Sequence, residues 1–249
     1  MVDLAFAAGV LVEDGERLRA TVRFSTLGRH IFVHSAYPTV DTDSVFFGPD
    51  TYRFCNLIAR TLGGAKRARR LVDIGCGSGA GGIIASSNAD RIVLTDVNHA
   101  ALFHSKVNTR LAGIEAHAEI IESDILAAIE GPFDVVTANP PYLVDPRRRA
   151  YRDGGGSFGE GLAIRMVEES LERLEPGGRL ILYTGAAIVA GTDTFLEAVR
   201  PVCEGGGCTW SYDELDPDVF GEEIELNDSY AAADRIAAVA LVAHKSLDR

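Results

Sequence analysis

The chain has 249 residues, 47% of them hydrophobic, and 24 Lys and Arg against 36 Asp and Glu give a net charge of −12. That apolar share fills the core of one sizeable domain, while the acidic total argues against gripping duplex nucleic acid by displacing counterions. No apolar run approaches the ~20 residues that span a bilayer, and the acid at Asp3 does not read as a signal peptide, so a cytoplasmic protein is expected.

Taken in chain order, residues 4–12 are apolar and suit either a helix or a strand. Residues 17–24 and 30–34 alternate around Thr26-Leu27-Gly28, which predicts one β-hairpin. Pro49 and Asp50 read as an ordinary helix start. The basic run Lys66-Arg67-Ala68-Arg69-Arg70 reads as a solvated loop.

From Leu62 onward, short β-branched runs alternate with amphipathic stretches, the pattern of βαβ units on a parallel sheet. Strands are expected at 70–74, 91–95, 118–122, 133–138 and 179–183. Helices are expected at 79–87, 98–112 and 160–174, with a short turn after Asp124. Glu175-Pro176-Gly177-Gly178 should stop the last helix and turn the chain. Residues 208–215 and 236–243 suit a closing antiparallel pair, although the second also passes for an Ala-rich helix on propensity. The fold class is therefore α/β, a doubly wound sheet.

The first chemical signal is a strand running into Asp73-Ile74-Gly75-Cys76-Gly77-Ser78-Gly79. Glycines there let a ligand approach the backbone, and a following helix offers its N-terminal amides. Gly77, Gly79 and Gly82 fit the spacing of a dinucleotide loop. That register begins late relative to the strand, however, and ignores Asp73. An anion so placed opposes a pyrophosphate and suits the ammonium and sulfonium of S-adenosylmethionine. Asp96, followed by Val97, ends the next strand and can accept two ribose hydroxyls. Asp124 suits an adenine amine, with Ile125 packing on the ring; its plainer role is a helix cap.

The second signal is Asn139-Pro140-Pro141-Tyr142 after the fourth strand. Two prolines stiffen the exit and remove two amide donors, leaving carbonyls free to accept. An amide or aniline-like nitrogen is a poor nucleophile because its lone pair is delocalised. The Asn139 side-chain oxygen and the Pro140 carbonyl can take its two hydrogens, and Tyr142 can cover its flat face. Arg147, Arg148 and Arg149 follow closely, and suit either a solvated loop or a nucleic-acid contact.

Asp73-x-Gly75-x-Gly77-x-Gly79, Asp96, Asp124 and the Asn-Pro-Pro-Tyr corner together resemble the HemK-type family of class I methyltransferases, over roughly residues 45–244. The resemblance implies a Rossmann-like sheet of seven strands with the last antiparallel, so residues 236–243 are read as a strand. It implies S-adenosylmethionine as cofactor, and N-methylation of a protein glutamine, or alternatively of a base in ribosomal RNA or DNA. Pro49-Asp50-Thr51 resembles the segment that closes over the cofactor's methionine end, making Asp50 and Thr51 candidate cofactor contacts. Residues 151–161, rich in glycine, resemble a flexible acceptor loop. Residues 1–44 form a hairpin segment, which can be the remnant of a longer module, ahead of a methyltransferase domain at 45–249. Neither Cys55, Cys76, Cys203 and Cys208 nor the six histidines show metal-ligand spacing, so reduced thiols and no metal are expected. The expected partner is a macromolecular methyl acceptor, protein before nucleic acid, with no membrane.

Overall fold

A computed structural model describes residues 2–247. The chain opens with α1 (Val2–Ala7) and two hairpins, β1 (Leu11–Asp14) with β2 (Arg17–Ala20), and β3 (Val22–Leu27) with β4 (His30–Ser35). The single expected hairpin is thus two. Asp14-Gly15 makes the extra turn, with Gly15 at a φ of +62° that a glycine adopts without strain. Thr21 divides the pair, its amide donating to the Val10 carbonyl and its carbonyl accepting from Ala36.

Next come α2 (Pro49–Leu62), β5 (Ala68–Ile74), α3 (Ala80–Ala85), β6 (Ala89–Asp96), α4 (His99–Leu111), β7 (Ala118–Glu122) and β8 (Phe133–Ala138). They are followed by α5 (Gly161–Arg173), β9 (Leu174–Val189), β10 (Thr192–Asp193), α6 (Thr194–Gly205), β11 (Cys208–Asp216), α7 (Gly221–Leu226) and β12 (Arg235–Lys245). The main sheet runs β11-β12-β9-β8-β5-β6-β7, with β10 pairing off its path to β9. β5 to β9 are parallel, and β12 is antiparallel to both its neighbours. The doubly wound α/β sheet and its antiparallel closing strand are as expected.

The local structure departs from the expected elements at two places. Glu175-Pro176-Gly177-Gly178 does not precede its strand: it forms an irregularity inside β9, between the pairs Phe133↔Leu174 and Val135↔Arg179. α6 was not anticipated, although Asp193 caps it by accepting from the Leu196 amide. Pro201 inside the helix hides it from a reading by breakers.

Period-two alternation assigns the sheet its two covers. Leu71, Leu94, Ile181 and Val242 pack with Phe54 and Ile58 of α2 and Ile83 of α3. Val72, Val93, Leu180 and Leu241 pack instead with Val167 of α5 and Phe195 of α6. Burial on both faces explains why the central strands are almost wholly apolar. Asp73, Thr95, Thr137 and Thr184 are polar exceptions at buried positions of these strands, and Asp73 and Thr137 bond to each other at 2.8 Å.

The second hairpin docks through buried Phe32, through Tyr52, which donates to the Thr26 carbonyl, and through one amide side chain of α4. Asn108 of α4, fully buried, accepts from the Val33 amide at 2.8 Å. It also donates to the carbonyls of Val33 and Ser78 at 2.9 and 2.8 Å. One amide thus ties β4 to the glycine loop. Replacing Asn108 by Ala strands three backbone groups, at about 1–3 kcal/mol for each left buried and unpaired. The urea midpoint should fall with the m-value unchanged; an unmoved midpoint would contradict this docking.

Candidate active site

The sheet itself creates the crevice. From β5 the chain winds one way to β6 and β7, and from β8 the other way to β9, so the loops after β5 and β8 diverge. Ligands of such sheets bind at that reversal, outside the carboxyl ends of the strands. Register supplies the detail: Ile74 lies opposite Ala138 on one side and Thr95 on the other. Gly75, Asn139 and Asp96 therefore leave the sheet side by side.

A cavity of about 540 Å³ opens there, within the ~300–1,000 Å³ typical of small-molecule sites. Asp50, Thr51, Asp73, Gly75, Gly77, Asp96, Val97, Asp124, Ile125 and the whole corner from Asn139 to Tyr142 line it. Gly79 does not. It caps α3 in a left-handed conformation, where a Cβ would lie 3.0 Å from Ser105 Oγ. Its role is to let the loop pack on α4.

The acids hold the loop as well as the wall. Asp73 is 1% exposed, its Oδ2 accepting from the Gly82 amide at 2.8 Å and its Oδ1 from Thr137. Burial pushes its carboxyl up from 3.8 to about 7, against the pull of those two hydrogen bonds. No described lysine or arginine pairs with it, so the cavity's deepest acid lacks a counter-ion that a cationic ligand can supply. Asp96 accepts from the amides of Gly77 and Asn98, each at 2.9 Å. Burial raises its pKa too. Asp124 instead pairs with Arg165 at 3.1 Å on the exposed side. Ile125 sits beneath it at a φ of +53°, rare for a β-branched residue and typical of strain held at a functional site.

The corner is anchored more firmly than its prolines alone require. The Tyr142 hydroxyl donates to Asp50 Oδ2 at 2.7 Å, and the Tyr183 hydroxyl to Asp50 Oδ1 at 2.6 Å. Tyr142 also meets Phe220 edge to face at 5.9 Å. Asn139 is half-buried on the cavity wall, and its carboxamide bonds to no other described side chain or backbone group. Thr51 accepts from the Gly48 amide through its hydroxyl at 3.3 Å.

Gly154, Gly156, Gly159 and Gly161 of the 151–161 loop serve close approach. A Cβ on Gly159 would stand 2.1 Å from the Tyr142 carbonyl oxygen, so the loop folds backbone against backbone onto the corner. The Leu143 amide donates to the Arg152 carbonyl, and the Gly154 amide to Leu143. Arg149 turns inward, its Nε and Nη2 donating to Asp145 at 2.7 and 2.9 Å, and Arg147 and Arg148 stay exposed. The run at 66–70 lies at the far end of β5, where Arg67 and Arg69 pair with Asp90, Asp134 and Glu175. It takes no part in the cavity.

Sequence reasoning missed Tyr183, Arg53, Phe220 and the span from Tyr37 to Ser44. That span crosses the cavity mouth, with Tyr151 donating to the Thr39 carbonyl at 2.6 Å and Asn98 to Asp43 at 2.8 Å. Exposed Tyr37 and Val40 carry no periodic signal. Among the described residues no metal-binding cluster occurs, and no helix is long and apolar enough to cross a membrane.

The profile of the methyltransferase small domain family matches residues 43–192. A release factor glutamine methyltransferase of Deinococcus radiodurans is 30% identical over 156 residues, covering 58% of this chain and 55% of that one. A ribosomal RNA small subunit methyltransferase C of Chromohalobacter salexigens is 28% identical over 123 residues, covering 49% and 33%. The chain spans about half the length of the release-factor relatives it matches. Among solved structures, the M. jannaschii tRNA m1G37 methyltransferase shares the fold with a TM-score of 0.61 at 18% identity, covering 92% of this chain and 60% of that one.

Asp73 also sets a pH dependence. Its folded pKa stands above its unfolded one, so the folded state holds the proton more tightly and stability falls as pH rises from about 4 to about 7. Asp73→Asn keeps the shape and removes that slope. The separation between the denaturant midpoints of the two proteins should change from about pH 4 to about 7 and stay constant on either side; parallel curves throughout would mean that Asp73 does not titrate there.

Proposed function

The chain belongs to the methyltransferase small domain family, and on that premise we propose that it transfers a methyl group from S-adenosylmethionine to a planar nitrogen, the side-chain amide of a protein glutamine first of all. The carrying observation is the pairing of two loops at one crevice. The glycine loop after β5 and the Asn139 corner after β8 leave adjacent strands in register and line a single cavity.

The residues fit that cofactor. Asp73 would face its cationic amino-acid end, Asp50 and Thr51 would border the same end, Asp96 and Val97 its ribose, and Asp124 and Ile125 its adenine. Gly75 and Gly77 keep the backbone low enough for the approach, and Gly79 supports them from behind. When bound, S-adenosylmethionine supplies an activated methyl group on a sulfonium. The protein holds the acceptor. Asn139 Oδ1 and the Pro140 carbonyl accept the two amide hydrogens, which aims the nitrogen lone pair along the transfer axis. Pro140 and Pro141 present no competing N–H. Tyr142, fixed by its hydroxyl, offers ring surface to the flat group. Positioning of this kind is the main lever for a nucleophile that needs no strong base.

Protein is favoured as acceptor by the net charge of −12 and by the engagement of Arg149 with Asp145. The exposed Arg147 and Arg148 beside the cavity support a second reading, an RNA base. Transfer of tritiated methyl groups into a cell lysate, with protein then separated from RNA, distinguishes the two. Label in protein, released as N-methylglutamine on digestion, is expected; label confined to RNA would transfer the assignment to the second reading. Asn139→Ala should reduce turnover by about 100-fold or more, the scale of a misplaced reactant, with S-adenosylhomocysteine affinity unchanged. Full turnover in that variant would remove Asn139 from the mechanism.

A further inference from the structure

Asp50 is more deeply engaged than a wall residue of the cavity needs to be. Both its oxygens accept a tyrosine hydroxyl, from Tyr142 at 2.7 Å and Tyr183 at 2.6 Å. Arg53, one helical turn on, pairs with the same carboxylate at 3.3 Å and with Asp216 at the end of β11. Four elements therefore meet at one acid: α2, the loop after β8, β9 and β11. Register explains why Tyr183 is available, since Leu182 lies opposite Ala138 and Tyr183 falls beside Asn139.

The ring of Tyr142 has a socket as well. A Cβ on Gly185 would stand 2.0 Å from Tyr142 Cδ2, so only a glycine on β9 lets the ring lie against the strand. Held by hydroxyl and ring, and joined to Asn139 through two residues of fixed φ, Tyr142 has little freedom to pass on. Burial, reinforced by the neighbouring carboxylate, lifts both hydroxyls far above the ordinary tyrosine range. Each remains a donor at any working pH.

We infer that Asp50 and Tyr183 are positioning residues, which act through Tyr142 to hold the Asn139-Pro140-Pro141 corner at the angle the acceptor nitrogen requires. This takes the place of the reading of Asp50 as a direct cofactor contact, since both its oxygens already accept a tyrosine hydroxyl, and it rests on the proposed role of the corner. A carboxylate shared by two hydroxyls suits the task because it has acceptors only. It cannot rotate to an alternative pattern, as an amide can. Losing it leaves a buried hydroxyl without an acceptor and frees the ring to shift, and a shift of about 1 Å at the reacting groups is enough for a 100-fold loss.

Asp50→Asn and Tyr183→Phe test this, with wild type alongside. The clamp predicts a kcat lowered roughly 10- to 100-fold in Asp50→Asn and less in Tyr183→Phe. It predicts acceptor KM and S-adenosylhomocysteine Kd near wild type in both. The double variant should lose less than the product of the single losses, because both act on one contact set. The second readout needs no turnover. The Asn139 side-chain amide should give one sharp pair of NMR signals in wild type, and broadened or doubled signals in Asp50→Asn. Sharp, unshifted signals in folded variants would overturn the clamp, as would an S-adenosylhomocysteine Kd that weakens in step with kcat. Should wild type methylate no planar nitrogen, the functional proposal falls, and the NMR comparison still decides whether Asp50 orders the corner. Tyr183→Phe deletes one oxygen only and serves where Asp50→Asn fails to fold.

Discussion

The register between β5 and β8 is the constraint on which the site depends. Ile74 and Ala138 face each other across one rung of a parallel ladder at the sheet's reversal point. A glycine-rich turn and a proline-stiffened corner therefore begin at the same height and diverge. Slip that register by one residue and every side chain changes face, which would put Asp73 under α5 and Asn139 out of line with Gly75. Apolar packing on both faces makes such a slip costly. Leu71 and Val135 belong to the cover built by α2 and α3, and Val72 and Val136 to the one built by α5 and α6.

Carboxylates do the fastening around this ladder, in a chain already rich in them. Asp73 holds the start of α3 and Thr137, Asp96 holds two loop amides, and Asp50 collects two tyrosines and an arginine. Their burial is tolerated because nearly every oxygen has a donor. Of the three only Asp50 has a formal positive charge beside it, in Arg53; Asp73, the most deeply buried, has none, and that residual cost is what a cationic ligand would relieve. The acid that strains the free site is thus the one that prepares it.

Much of this was legible in the residues. The βα alternation gave the sheet, Asp73 before Gly75 marked an acid at the start of the glycine loop that lines the cavity, and Pro140-Pro141 marked a bend without donors. Other features were written in the sequence and passed over: Asp14-Gly15 is a hairpin turn, and Asp193 is a helix cap. What no local pattern shows is contact over long range. The bonds from Asp50 to Tyr142 and Tyr183 span 92 and 133 residues, and only the closed sheet brings them together. Arg149 is a different case: its partner Asp145 lies only four residues back, a local pair that reading the basic run as one unit passes over. Long-range contact also accounts for Gly159 of the 151–161 loop, where room for the Tyr142 carbonyl, rather than flexibility, requires a glycine.

The most direct measurement is a titration of the 15N-labelled protein with S-adenosylhomocysteine, followed by amide shifts. Ligand in the crevice at the sheet's reversal should move Gly75, Gly77, Val97, Ile125 and Asn139 together, with one dissociation constant. Shifts that spare both Gly75 and Asn139, and gather on the exposed edge of β7 or around the N-terminal hairpins, would contradict the account.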